Sequence, residues 1–272
     1  MPNFHKQRVI KRVFKIILTL FIVAVNAILI WRVFFSTSIP SDIEALEPNA
    51  PIAAAYLQHG DALQVRYQNN FSTVYKEDEF GYFSNSEALF IPQANQVQVV
   101  IRFPKNAVET LAESQARKQG LDADATARLV EEMKAQSETK PLCDWFTFSL
   151  VKTTDLTPGN REDNLDESTL SFQRIFPTSI KQSSSTLYTY YRLTFDGVTI
   201  EELTAEEKQA RAEKREVNTN YTIGVFLDVH VAGDDLSQPA YGTLCIYDCE
   251  MPWETRELSD DEKESFLSYP IG

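Results

Sequence analysis

The sequence predicts a mainly β protein: a single N-terminal transmembrane helix followed by an antiparallel β-sandwich, of immunoglobulin-like kind, that carries helical insertions. Three observations lead there. A 21-residue apolar stretch, Lys15 to Phe35, lies near the amino terminus. Alternation of apolar and polar residues recurs through the remainder, and turn residues separate the alternating runs at short intervals.

The apolar stretch comes first. Ile16 to Trp31 contains no charge, and apolar character resumes after Arg32 with Val33, Phe34 and Phe35. At about 1.5 Å per residue a helix over this stretch covers roughly 30 Å, the thickness of a bilayer's hydrocarbon core. Lys15, Trp31 and Arg32 sit where interfacial residues belong. A cleaved signal peptide is the alternative, and Ser36 and Ser38 have the size its protease requires. Its apolar region, however, is usually about 7 to 15 residues long, and the longer run with Arg32 just before those serines argues for retention.

Orientation follows from charge. Residues 1–15 hold Lys6, Arg8, Lys11, Arg12 and Lys15 and no acid, which marks a cytoplasmic tail. Removing these five bases and Arg32 from the chain's 26 leaves 20 bases against 39 acids, so residues 36–272 carry a formal charge of −19. The expected location is the cell membrane, with a single pass over residues 16–35 and the C-terminal domain outside the cytoplasm. Nucleic acid is excluded as a partner for so acidic a domain, because like charges repel over a Debye length. The bilayer itself is the expected partner of residues 16–35. Asn26, near the midplane, is a candidate for a helix–helix contact through its amide.

Residues 36–51 carry Pro40, Pro48 and Pro51 among acids with no sustained period, which reads as a stalk. Residues 52–250 then read as the sandwich. In "NYTIGVFLDVHV" the odd positions Tyr221, Ile223, Val225, Leu227, Val229 and Val231 are all apolar, the period of a half-buried strand. "DWFTFSLVK", "TLYTYYRLTF", "VQVVIRF" and "YGTLCIY" read as strands too, with weaker signals at "ALQVRY", "FSTVY", "EALFI" and "TLSFQRIF". "PQAN" reads as a hairpin turn, and "FDGV" holds an Asp-Gly pair of the kind that hairpins favour.

Helical insertions are expected near residues 105–138 and 204–217. "KNAVETLAESQARKQG" places Val108, Leu111 and Ala112 on one stripe, with Gly120 to end it. "DADATARLVEEMKAQ" continues with Leu129 and Met133 one turn apart. Thr204 followed by Glu207 forms a capping box for a third, largely polar helix. Residues 251–272 read as a tail with a short helix.

Reactive chemistry is sparse. Cys143, Cys245 and Cys249 all lie beyond the membrane segment, where disulfides persist. A strand through Cys245 and Cys249 would hold their Cα atoms about 13 Å apart, too far to bridge. This leaves one disulfide to Cys143 with a remaining thiol, or three buried thiols. "GTLC" resembles the nucleophile strand of the sortases, surface transpeptidases with an N-terminal anchor, at Thr243, Leu244 and Cys245, but lacks the two residues that separate leucine from cysteine there. The resemblance implies a thiol-dependent transpeptidase or hydrolase using Cys245, beside a histidine and an arginine. His59, His230 and Arg256 exist, but not in the family's order or spacing, and an acidic domain does little to lower a thiol's pKa.

No serine-hydrolase, zinc-protease or phosphate-loop motif is present. Only His59 and His230 are available outside, too few for a multi-histidine metal site, and His230 falls on the less apolar face of its strand, as a surface residue would. Acid clusters at "REDNLDES" and "GDD" lack the spacing and glycine of a calcium loop. No cofactor, metal site or catalytic residue is expected. Tyr188, Tyr190 and Arg192 share one face of a strand and are candidates for a binding surface, unless that face is covered. The sequence therefore points to a non-catalytic, membrane-anchored interaction or accessory module at the cell surface. The alternatives are a structural subunit of a membrane complex and the Cys245 enzyme.

Overall fold

The structure, a computed structural model, describes residues 14–29, 39–68, 84–153, 172–215, 221–237 and 240–271. Residues 14–29 are helical (α1). The chain then forms α2 (Ser41–Glu44), α3 (Ala50–His59), β1 (Val65–Tyr67), β2 (Ser84–Ile91), β3 (Gln96–Pro104), α4 (Ala107–Lys118), α5 (Ala123–Ser137) and β4 (Phe146–Thr153). It continues through β5 (Phe172–Ile175), β6 (Ser179–Ser184), β7 (Tyr188–Asp196), α6 (Ala205–Ala212), β8 (Gly224–Val231), β9 (Gly242–Asp248), β10 (Glu254–Arg256) and α7 (Asp260–Ser268). The described strands build a six-stranded sheet in the order β10-β1-β2-β3-β7-β6 and a four-stranded sheet in the order β5-β4-β8-β9. Every described strand pair is antiparallel.

Alternation explains how the sheets meet. Val97, Val99, Ile101 and Phe103 of β3 point to the same side as Tyr191, Leu193 and Phe195 of β7. From the smaller sheet come Phe146, Phe148 and Leu150 of β4, Val225, Leu227 and Val229 of β8, and Leu244 and Ile246 of β9. All join one buried cluster. The Phe103 and Phe146 rings stack across it at 5.0 Å. Each such side chain contributes roughly 1.5–3 kcal/mol on burial, so this shared core is what holds two sheets as one body. Their arrangement is compatible with a β-sandwich.

The helical stretches follow from local signals. Asp122 caps α5 by accepting from the Ala125 N–H at 2.8 Å. Gly120 adopts φ +65° after α4, letting the Leu121 N–H reach back to the Ala116 carbonyl at 3.0 Å. Val108, Leu111 and Ala112 of α4 and Met133 of α5 add to the shared core. Thr204 and Glu207 form the capping box of α6, which buries only Ala210.

Several sequence expectations need correction. "PQAN" does join β2 to β3, with Asn95 left-handed at φ 48°. "FDGV" is not a hairpin turn: β7 leaves through Gly197, and the next strand of the described chain, β8, belongs to the other sheet. "KQSSST" carries no apolar alternation, yet Lys181–Ser184 completes the edge strand β6. The candidates "FSTVY" and "REDNLDES" lie outside the described residues.

The stretch read as a stalk is the largest departure. From Ile39 it lies on the outer face of the six-stranded sheet, with Ile43 at 0% and Leu46 at 2% exposure. Together with α3 and α7 it forms a further layer, in which Leu46, Ile52, Tyr56 and Phe266 pack with Val65, Leu89 and Ile91 of the sheet.

Candidate functional site

Two features are built to meet something outside the chain or to hold the chain in place: the apolar helix α1, and the segment that docks just after it. In α1 every residue is exposed, and its large apolar side chains range from 37% for Val25 to 65% for Phe14 and Phe21. No face of the helix is covered by the other described residues. A helix that is apolar all round requires a surrounding of protein or lipid. Its two uncharged polar side chains, Thr19 and Asn26, turn inward on the backbone. The Thr19 hydroxyl donates to the Lys15 carbonyl and the Asn26 amide to the Ile22 carbonyl, both at 2.9 Å. Asn26 thus places one amide hydrogen within its own helix, without a second helix. Among the described residues no helix is long and apolar enough to cross a membrane; residues 30–35 of the expected span lie outside them.

Ile39 to Asn49 form a strap, and a buried arginine fixes it. The Arg192 side chain is 0% exposed. Its Nε donates to the Ile43 carbonyl at 2.8 Å, and Nη2 donates to the carbonyls of Ile43 and Glu44, the latter at 2.9 Å. Nη1 reaches Gln98 Oε1 at 3.1 Å, and Nη2 lies 3.3 Å from Glu87 Oε2. Burial lowers the Arg192 pKa and raises that of Glu87, and their mutual attraction opposes both shifts.

Amides and hydroxyls extend the grip. Gln98 accepts from the Glu47 N–H at 2.9 Å and donates to the Glu47 carbonyl at 3.0 Å. The Glu47 carboxylate accepts from Thr194 and Ser179, each at 2.8 Å. Asn49 caps α3 and exchanges hydrogen bonds with Gln96. Tyr190 is 0% exposed beneath Ile43, and Tyr188 is half-buried beside Ile39. Tyr188, Tyr190 and Arg192 do share one face; the strap covers Tyr190 and Arg192 and leaves Tyr188 half-buried at its edge.

The C-terminal helix locks the same layer. Ser259 and Glu262 form a capping box at the start of α7. Glu262 also accepts from the Leu46 N–H at 2.8 Å and takes both ends of the Arg256 guanidinium at 2.7 and 2.8 Å. Burial alone would raise its pKa, but the Arg256 fork and the N–H groups of Leu46 and Ser259 outweigh it and hold the carboxyl down at about 2. Ser259 followed three residues later by Glu262 is a capping signature visible in the sequence. The partners Arg256 and Leu46 are not.

A second polar cluster sits on the outer face of the smaller sheet. Arg174 Nη1 donates to Ser149 Oγ at 2.9 Å and lies 3.4 Å from His230 Nε2, while its other arm reaches the Leu236 carbonyl at 3.2 Å. Asp228 Oδ2 is 3.7 Å from Arg174, and Oδ1 accepts from Thr243 at 2.8 Å. His230 is 1% exposed and so is not the surface residue that its strand face suggested. The cluster gathers polar strand positions beneath cover rather than presenting them in a cleft.

Of the two readings, one disulfide or three buried thiols, the structure has three free thiols, with Cys245 buried and Cys143 and Cys249 partly so. Cys245 lies opposite Phe226, which lies opposite Val151, so β8 separates β9 from β4. Cys143 precedes the far end of β4, at Phe146. Two strand spacings of about 4.8 Å and five residues along the strand put the positions well beyond the 7 Å limit for bridging. The Cys245 thiol is 3% exposed and contacts the Tyr247 carbonyl at 3.4 Å, a buried hydrophobe's setting rather than a nucleophile's. Arg211 Nη1 lies 3.6 Å from Cys249 Sγ, not beside Cys245. Among the described residues no group of three or more His, Cys, Asp and Glu side chains could hold a metal ion.

Comparison of the chain with protein-family models, with curated proteins and with solved structures gives no match.

Proposed function

We propose that the chain is a single-pass membrane protein anchored by residues 16–35, with its amino terminus cytoplasmic and its acidic body outside, and that the body serves without catalysis as an interaction or accessory module at the cell surface. The observation that carries this reading is α1: apolar on every side, exposed on every side, and with Thr19 and Asn26 both bonded inward. Lipid supplies what such a helix lacks, and internal satisfaction of its polar hydrogens is what lipid demands. Five bases precede it and no acid does. The body reads as an antiparallel β-sandwich because both sheets feed one core. Its described strands, six on four, depart from the four-on-three of a constant-type immunoglobulin domain.

The non-catalytic reading rests on where the reactive side chains sit, with Cys245 and His230 buried and Arg192 spent on the strap. Alkaline extraction of membranes tests the anchor. The full chain should stay in the pellet, and a chain lacking residues 16–35 should move to the supernatant; release of the full chain would remove the basis of the proposal.

A further inference from the structure

Resting on the anchored reading, we propose that one end of the body, formed by the β3–α4 junction and the β6–β7 turn, lies against the phospholipid headgroups, with Arg102 and Lys105 toward the phosphates and Tyr188 at the interface. The direction of the strap supplies the argument. Asp42 takes hydrogen bonds from Lys181 and Ser183, Ile43 from Arg192, Glu47 from Thr194 and Asn49 from Gln96. The strap therefore runs along β7 from its Tyr188 end to its Asp196 end. Ile39 enters at the Tyr188 end, packed with Tyr188 against Ile43, Val100 and Tyr190.

Chain length makes this restrictive. Phe35 is the last residue of the apolar stretch, and four residues reach at most about 14 Å from it to Ile39. A headgroup layer is itself roughly 5–7 Å deep on each side of the hydrocarbon. The Tyr188 end can therefore lie no more than about 7–9 Å beyond that layer's outer edge, while the opposite end, eight residues along β3, is about 27 Å farther along the strand.

The side chains at the near end suit that position. The Arg102 guanidinium lies over the Tyr188 ring at 4.8 Å from its centroid. Lys105 is exposed, its backbone N–H bonded to the Leu187 carbonyl at 3.1 Å and its Nζ 3.4 Å from Thr189 Oγ1. The acid that follows in α4, Glu109, is paired with Lys134 at 3.3 Å. A tyrosine flanked by long cations is the composition of a membrane interface, and it occurs here on a body whose overall charge is strongly negative.

The test uses the full chain with Cys143→Ser and Cys249→Ser, leaving Cys245 buried, and one new cysteine carrying a fluorophore. Thr186→Cys marks the near end and Ala62→Cys the far end, both at exposed positions. Each chain is reconstituted into vesicles of phosphatidylcholine with some phosphatidylglycerol and a lipid bearing a headgroup quencher. Quenching at residue 186 should exceed that at residue 62 by about threefold or more, since quenching decays over a distance shorter than the body. Lys105→Glu should reduce it at residue 186. Equal quenching, or more at residue 62, in chains that float with the vesicles would overturn the orientation alone. Unchanged quenching in Lys105→Glu would overturn the part given to that cation, and a full chain that fails to float would overturn the anchor together with this inference.

Discussion

Arg192 shows how much one buried charge can organise. Its guanidinium binds two strap carbonyls, Gln98 and Glu87 from a fully buried position. Truncating it leaves those acceptors without their donor and Glu87 without its counter-ion. Arg192→Ala should therefore lower stability by about 3–5 kcal/mol, read as the urea midpoint of the full chain in detergent. Arg192→Lys should recover only part of the loss, because an ammonium cannot reproduce the planar fork.

Glu262 gives a pH signature at the same scale. Its carboxyl is held at about 2 against an ordinary 4.5, so protonation favours the unfolded chain. The stabilising contribution is complete above about pH 4.5 and is lost as pH falls toward 2, a span worth roughly 3 kcal/mol. Glu87, whose pKa is raised, acts in the opposite sense. The difference between wild type and Glu262→Gln isolates the effect: thermal melts from pH 6 to about 2 should show the wild type losing stability more steeply than the variant. Parallel curves would contradict the role given to Glu262.

At the scale of elements, legibility followed periodicity. The strands β3, β4, β7, β8 and β9 could be read because Val99, Leu150, Leu193, Leu227 and Leu244 alternate with residues of the other face. The helices α4 and α6 could be read from Gly120 and from the Thr204 cap. The strap could not. Residues 39–49 hold two prolines and several acids with no period, and their burial depends on Arg192 and Glu262, 149 and 216 positions away in their bonds to Ile43 and Leu46. Edge strand β6 was hidden for a related reason: Ser, Lys and Gln serve an exposed border well and carry little apolar pattern.

Two element-level outcomes follow from the contacts. Phe266 of α7 is 1% exposed and meets the Tyr56 ring edge-on at 5.7 Å, so Phe266→Ala should cost about 3–5 kcal/mol in the same urea titration. In α1 the Asn26 amide donates within its own helix. Asn26→Leu should accordingly leave the oligomeric state in detergent unchanged, as measured by light scattering; a shift toward monomer would restore Asn26 as a helix–helix contact.

Across the whole molecule, the segment after the apolar helix does not act as a spacer. Its described part is clamped to the sheet from Ile39 onward. A formal charge of −19 on residues 36–272 is the ground on which the proposed reading prefers cationic or basic partners to nucleic acid. The candidate site was legible only in its apolar half: the uncharged run from Ile16 to Trp31 announces itself, whereas the role of Arg192 depends on which chain segment covers its face.

Protease applied to sealed cells that express the full chain with an epitope at its amino terminus tests the topology directly. The account predicts that the acidic body is degraded from outside while a short fragment bearing the epitope survives in the membrane. Loss of the epitope with the body left intact would contradict it.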